Sequence, residues 1–314
     1  MILDGMPGRV EKNYPLNQLT TWKIGGPAET AYWPQTKEDL STVWQRAQAA
    51  EVPVWLIGQG SNLLLPDEGL PGITVVTTYL RKVEWGNYTV QVEAGYSLAR
   101  LAQEAGERGF SGLEFARGIP GSVGGAVMMN AGAHGGTMAP HIMNVTALWS
   151  DGTVKTVEKS ELEFAYRFCS LRGQAWVLEV ELEFSPGDRS LILQEMKEHL
   201  TKRAINQPLE KPSAGSVFRN PPGDSAGRLI EAAGWKGRSI GGAQVSTKHA
   251  NFIVNTGNAK AQDVLALMEG IQRDVQLKFG ISLKSEVAYL QLEVNTHTLF
   301  HPKQVAINTD KKGV

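Results

Sequence analysis

Seven glycines, a proline and an Asn-Ala-Gly triplet crowd into Gly118 to Gly136, around one short apolar run, Val127-Met128-Met129. Glycine loses more conformational freedom on folding than any other residue, so such a cluster belongs where the backbone must turn sharply or let something approach closely. A ligand carrying a diphosphate and a flat ring system makes that demand. A second turn of the same kind, Gly58-Gln59-Gly60-Ser61-Asn62, follows the strand-like run Pro53 to Ile57. It offers consecutive main-chain N–H groups, a hydroxyl and an amide to an anion. It is not a dinucleotide fingerprint, because Leu63 stands where the third glycine belongs, and it is not a P-loop, because no Gly-Lys-Ser/Thr follows. Alone, this turn reads at least as well as a strand ending. The two together favour one large cofactor held by main-chain donors.

At 314 residues the chain exceeds a typical single domain. Its net charge of −1 gives no support for a nucleic-acid or anionic-membrane partner. The single cysteine, Cys169, cannot close an intramolecular disulfide, which fits a reducing compartment. The first residues lack an apolar signal core, and no run approaches membrane-spanning length. The expectation is a soluble, cytoplasmic protein.

Helical and strand patterns alternate. Thr36 and Asp39 are placed as a reciprocal cap for a helix to Ala50, with Leu40, Val43, Trp44 and Ala47 as its stripe. Ser97 caps a second helix, which Gly109 ends. Ile73 to Thr78 and Tyr88 to Ala94 read as strands, and Val180, Leu182 and Phe184 alternate with glutamates as a half-exposed strand. A further helix follows, with Leu193, Met196 and Leu200 expected inward. A turn-rich stretch, Gln207 to Gly223, then places a domain boundary near residue 203. Val264, Leu267, Met268, Ile271 and Val275 form the strongest amphipathic stripe, closed by Gly280. Trp22, Trp33, Trp44 and Trp55 recur every eleven residues in differing contexts and are taken as separate core or interface positions. The polar tail from Asn308 is expected to fray. The class is α+β.

Other residues carry chemistry only in company. Arg167, in FAYRFCSLRG, suits a two-point carboxylate clamp or an ordinary ion pair. Ser216, in KPSAGSVFRNPPG, is a proton donor, a phosphate ligand or a turn residue, and Arg219 and Asn220 beside it suit a phosphate or sugar. Glu286 lies in SLKSEV, a short strand-like run, and Lys248 to Phe252 either lines a pocket or enters a strand. His297 and His301 stand four apart but lack an intervening Glu and sit in a Thr-rich, Pro-terminated tail, so no metal is expected.

In this order, LTTWKIGGPAE, LIGQGSNLLL, GLEFARGIPGSVGGAVMMNAGAHGG, FAYRFCSLRG, KPSAGSVFRNP, GGAQVSTKHANFIVN and SLKSEV resemble the UDP-N-acetylenolpyruvoylglucosamine reductase family, over roughly residues 19 to 290. The resemblance implies an FAD-binding fold of the vanillyl-alcohol-oxidase type in residues 1–203, as two subdomains split near 80–90, and a substrate-binding domain in 204–314 whose 281–290 strand returns toward the flavin. The short span between Arg167 and Ser216 matches the subclass without an extra substrate-covering loop. It implies non-covalent FAD, NADPH as hydride donor, a UDP-sugar substrate in peptidoglycan precursor synthesis, and a monomer.

Carried over residue by residue, the resemblance puts the catalytic arginine at Arg167, the proton-donating serine at Ser216 and the glutamate at Glu286. Flavin contacts fall on Gly58, Gly60, Ser61, Asn62 and Leu63, and on Pro120, Gly121, Gly124, Gly125, Asn130, Ala131 and Gly132. Substrate contacts fall on Arg219, Asn220 and Asn251. Three positions depart from the family pattern: Cys169 replaces the usual serine, His134 the usual tyrosine, and Ala288 the usual arginine. The rival readings are another flavin oxidase or dehydrogenase of the same fold, and a catalytically silent flavin- or nucleotide-sugar-binding regulator.

Overall fold

The computed structural model describes residues 2–290 and the backbone of residues 305–306. His297, His301 and the tail from Asn308 lie outside the described residues.

The first sheet has four strands, β1 (Arg9–Pro15), β2 (Pro27–Trp33), β3 (Val54–Ile57) and β4 (Leu70–Val76), in the order β1-β2-β4-β3. β1 runs antiparallel to β2, while β4 lies parallel to both of its neighbours. Parallel neighbours need a crossover, and α1 (Lys37–Ala49) follows β2. Its start is fixed as the sequence predicts: Thr36 Oγ1 accepts the Asp39 N–H at 3.1 Å, and the Asp39 carboxylate accepts the Thr36 N–H at 2.9 Å. Apolar side chains cover both faces of this sheet. Tyr32, Val54 and Val75 pack with the α1 stripe, whereas Trp33, Trp55 and Ile57 fill the other side. That explains why β3 reads as a continuous apolar run instead of an alternating one.

The second sheet is antiparallel throughout: β5 (Val83–Trp85), β6 (Thr89–Glu93), β7 (Ile142–Trp149), β8 (Val154–Glu158) and β9 (Ala175–Glu183), in the order β8-β7-β9-β6-β5. One face carries α2 (Leu98–Glu107), the single-turn α3 (Val123–Met128) and α4 (Arg189–Asn206) in one core. Gly106 lets α2 and α4 meet closely, since a Cβ there would stand 3.0 Å from both Ile192 and Met196. The other face brings Leu148 and Leu178 onto α1, with Trp44 and Trp176 edge to face at 4.6 Å.

The expected inward face of α4 needs correction. Ile192, Met196 and His199 are its buried residues, while Leu200 is 37% exposed. The imidazole of His199 is held inside by Glu114 O at 3.3 Å and by a parallel stack on His134, ring centroids 4.0 Å apart. Polar contacts therefore set the rotation of this helix, where an apolar count would turn it the other way.

Beyond α4 the chain builds α5 (Ala226–Ala232), a small antiparallel sheet of β10 (Ser239–Ile240), β11 (Ala243–Val245) and β12 (Ile253–Asn255), and α6 (Ala261–Phe279). The predicted α6 stripe is buried residue for residue, and Gly280 closes the helix at φ 71°. This core also takes Trp22, Ile24 and Leu64 from the N-terminal part. The Trp22 indole donates to Ile253 O at 2.9 Å, and the Asp67 carboxylate accepts the first two N–H groups of α6. Finally, Ala288–Tyr289 pairs parallel to Leu63–Leu64, which sets the C-terminal segment beside the first glycine turn. Among the described residues no helix is long and apolar enough to cross a membrane.

Candidate active site

A cleft of about 1740 Å³ is bounded by both glycine turns, by the Arg167 hairpin and by the segments 214–219 and 282–290. Ligand pockets usually enclose about 300–1,000 Å³, so this one has room for a dinucleotide and a second ligand.

Its first wall is main chain. Gly60 has φ 59°, and a Cβ on it would stand 2.0 Å from Leu19 O. A Cβ on Gly58 would meet Ser122 Oγ at 2.4 Å, and one on Gly124 would meet the Ala94 Cβ at 2.7 Å. The two turns are joined by Ser61 Oγ donating to Pro120 O at 2.9 Å, and the second is tied to the sheet by Gly124 N–H donating to Ala94 O. No side chain fits at these glycines, and what they leave open is a cradle of peptide groups.

The opposite wall is charged. Arg167 is the second residue of the two-residue turn between Phe164–Ala165 and Phe168–Cys169, at φ 57°. That conformation costs a side-chain-bearing residue about 1–2 kcal/mol, so the turn keeps a guanidinium where the backbone favours glycine. Arg167 Nε donates to Glu286 Oε1 at 2.5 Å, and its Nη2 donates to Gly132 O at 3.1 Å. Burial pushes the Glu286 carboxyl above the ordinary glutamate value, while Arg167 and then Arg219 pull it back without cancelling the shift. Asn62 Nδ2 donates to Glu286 O at 3.1 Å, which couples the first glycine turn to this residue. Glu286 N–H donates to Val217 O and Arg219 N–H to Lys284 O, so Ser216 and Arg219 are held beside the Glu286 segment. Ser216 lines the cleft, and no partner among the described residues engages its hydroxyl. The Nε of Arg219 is buried without a hydrogen-bond partner.

The structure thus brings Arg167, Ser216, Arg219 and Glu286 together with Gly58, Gly60, Ser61, Asn62, Leu63, Pro120, Gly121, Gly124, Gly125, Ala131 and Gly132. Three asparagines named from the sequence do not line the cleft. Asn130 Nδ2 donates to Ala165 O while its Oδ1 accepts the Ala139 N–H. Asn251 grips both the N–H and the C=O of Phe218. Asn220 Oδ1 accepts the N–H of Ala226, the first residue of α5. Lys248 likewise spends its ammonium on Ala204 O at the end of α4. Of the three positions expected to depart from the family pattern, His134 lines the cleft at φ 52°, Cys169 is buried in the Arg167 hairpin, and Ala288 is buried against the first glycine turn. Arg172 and Gln207 also line the cleft and were not singled out; one basic and one amide residue in turn sequences carry no signal above background.

A main-chain cradle thus faces a partly buried, charged wall across one cleft, and the family matches give that cleft its class, a flavin-binding oxidoreductase. Residues 28–158 match the FAD binding domain model, and residues 207–290 match the C-terminal domain of UDP-N-acetylenolpyruvoylglucosamine reductase. The chain is 46% identical over 283 residues to UDP-N-acetylenolpyruvoylglucosamine reductase 2 of Symbiobacterium thermophilum, covering 90% of this chain and 92% of that one. It is 41% identical over 283 residues to the reductase of Bacillus subtilis, covering 89% and 93%. The crystal structure of the Thermus caldophilus reductase is similar at a TM-score of 0.77 and 38% identity, over 90% of this chain and 99% of that one. The chain belongs to the UDP-N-acetylenolpyruvoylglucosamine reductase family, and the α+β class with an FAD-binding fold and a C-terminal domain holds.

Proposed function

We propose that this protein reduces UDP-N-acetylglucosamine enolpyruvate to UDP-N-acetylmuramate, a peptidoglycan precursor, with non-covalent FAD and with NADPH as donor, acting as a cytoplasmic monomer. Residues 1–203 form the flavin-binding part and 204–314 the substrate-binding part. The observation that carries this reading is the Arg167–Glu286 pair, partly buried beside Ser216 and opposite peptide groups that leave no room for side chains.

Bound FAD, once reduced, supplies the hydride for the β-carbon of the enolpyruvyl group. The glycine turns would fit its diphosphate and ring, since they leave peptide groups uncovered where an added Cβ would collide with backbone or a packed side chain. Arg167 receives the substrate carboxylate and stabilises the charge that develops on it. That carboxylate competes with Glu286 for the guanidinium. Losing that cation leaves burial of Glu286 opposed only by the weaker pull of Arg219, which favours the protonated carboxyl that can donate a hydrogen bond to the growing charge. Ser216 delivers the proton to the α-carbon; its free hydroxyl supports that role, and positioning offsets its weak acidity against a strongly basic intermediate. Arg219 holds the UDP-sugar. Asn251 and Asn220 act behind it, fixing Phe218 and the start of α5.

An anaerobic absorption titration tests the scheme. Yellow protein should bleach with NADPH and regain its colour on addition of the enolpyruvyl UDP-sugar. Bleaching without recovery favours a different acceptor, and protein that stays colourless in FAD overturns the cofactor. With both substrates using one cleft in turn, steady-state lines should run parallel, and intersecting lines overturn that sharing.

A further inference from the structure

Asn130 meets two demands that few residue types meet together. It stands just past α3 and two residues before the cleft-lining Gly132, at φ 39°. Asparagine is one of the few residues with a side chain that enters the left-handed region readily. It is also 6% exposed, and both ends of its amide are used on main chain from other segments. Oδ1 accepts the Ala139 N–H at 3.0 Å, and Nδ2 donates to Ala165 O at 3.0 Å. An N–H only donates and a carbonyl oxygen only accepts, so these two partners fix which way the amide faces.

Ala165 ends the first strand of the hairpin whose turn carries Arg167. That hairpin is a two-stranded sheet of its own, paired over two residues on each strand. So short a pairing sets the shape of the turn but not its place against the rest of the cleft. The place is set by a reciprocal clasp. Asn130 Nδ2 donates to Ala165 O, two residues before Arg167, and Arg167 Nη2 donates to Gly132 O, two residues after Asn130. Each side chain grips the other's main chain. The two grips are not equivalent, because the guanidinium must also receive the substrate carboxylate, whereas the buried amide has no other partner to serve.

Resting on the proposed reaction, we propose that Asn130 is a positioning residue for it: the carboxamide fixes the Arg167 hairpin against the glycine segment, so the guanidinium keeps its place while its own hydrogen bonds change partner. Asn130 touches no reacting atom and acts through Ala165 and Arg167. Glycine at this position would keep the backbone and lose the grip. Aspartate would keep the shape and the acceptor for Ala139, but it would set a carboxylate oxygen against Ala165 O. Only its protonated form has an O–H to donate there. Burial and the facing carbonyl raise the pKa of such a carboxyl, so the grip returns as pH falls.

The test compares FAD-loaded wild type, Asn130→Gly and Asn130→Asp. Stopped-flow absorption follows flavin reduction by NADPH and reoxidation by the enolpyruvyl UDP-sugar separately, and hydrogen exchange follows the amides of residues 163–170. A misplacement of about 1 Å costs on the order of 10²-fold, so Asn130→Gly should slow reoxidation by up to about that factor. Reduction by NADPH should be nearly kept, and exchange in the hairpin should quicken. In Asn130→Asp both defects should shrink, relative to wild type, as pH falls. Wild-type reoxidation rates in both variants overturn the inference. So does a loss shared equally by the two half-reactions, the mark of a merely structural role. If Asn130→Gly cannot hold flavin, Asn130→Asp decides, and a rate ratio to wild type that ignores pH overturns the inference. If wild type itself is not reoxidised by the enolpyruvyl UDP-sugar, the reaction falls and hairpin exchange decides the grip: faster exchange in the variants keeps it, and unchanged exchange overturns it.

Discussion

The two walls of the cleft are built by opposite means. Around Gly58, Gly60 and Gly124 the surface is main chain, and a single added carbon would collide with backbone or a packed side chain. Around Arg167, Ser216 and Glu286 the surface is side chain, drawn from three segments far apart in sequence and held by main-chain hydrogen bonds that any residue could make. The first wall therefore couples ligand binding to folding, because the contacts that shape it are the contacts that pack it. The second separates them. On the proposed reaction, changing its side chains should cost little of the fold and much of the chemistry.

That contrast is open to direct attack. The largest effect is expected at Ser216. A positioned general acid contributes on the order of 10²–10⁴-fold, so Ser216→Ala should lose that much turnover while keeping its flavin spectrum and melting temperature. A variant that loses flavin instead would show that the walls are not separable. Glu286→Gln should follow, with turnover lower by on the order of 10²–10³-fold, the usual consequence of removing one preorganised stabilising group. Stopped-flow measurement of flavin reoxidation by the substrate isolates that step, and an unchanged rate would remove Glu286 from the mechanism.

On the main-chain wall the expected loss is of stability and cofactor together. Gly124→Val must push α3 away from Ala94, and overpacking of this kind costs about 1–3 kcal/mol. Chemical denaturation with and without FAD checks it. Loss of turnover with undiminished stability and flavin affinity would break the contrast from the other side.

Glu286 also gives the charged wall a pH signature. Burial raises its pKa in the folded protein, so its proton is bound more tightly there than in the unfolded chain. The stability linked to that proton is fully present below the unfolded value and is lost as pH rises through the raised folded value. Glu286→Gln carries no such charge. Melting temperatures of wild type and Glu286→Gln should therefore diverge in the variant's favour as pH rises across that window. A constant gap would mean that the Arg167 pair outweighs burial.

The legibility of the chain follows the same division. The glycine turns, the Thr36–Asp39 cap and the α6 stripe were readable because each is local: the residues that need one another are neighbours in sequence. The rotation of α4 was not, because it depends on the Glu114 carbonyl and the His134 ring, which periodicity does not register. Nor was the work of Asn130 and Asn251. An amide in a sequence announces polarity, but only the fold shows that each faces main chain, Ala165 and Ala139 for one and Phe218 for the other. Arg172 escaped for a related reason, since a guanidinium on a cleft wall is recognisable only when the cleft is known. The meeting of Arg167 with Glu286 was reachable through family likeness alone, as nothing local links the two segments.

The smallest effect is expected at Cys169, inside the Arg167 hairpin. The thiol is fully buried and its pKa is raised by that burial, opposed by a hydrogen bond from the Leu171 N–H. It works as a small packing group with one weak acceptor. Serine fills nearly the same space and accepts the same N–H more strongly, but its hydroxyl proton then needs an acceptor of its own in a closed site. These terms oppose each other, so Cys169→Ser should change stability by no more than about 0.5–1 kcal/mol and leave turnover within about twofold. The turn at Arg167 is fixed chiefly by the Phe164–Ala165 pairing with Phe168–Cys169 and by the guanidinium's hold on Gly132 O, neither of which the substitution touches. A tenfold fall in turnover in this variant, with stability kept, would mean that the sulfur tunes the position of Arg167, and the charged wall would then depend on local packing as closely as the glycine wall does.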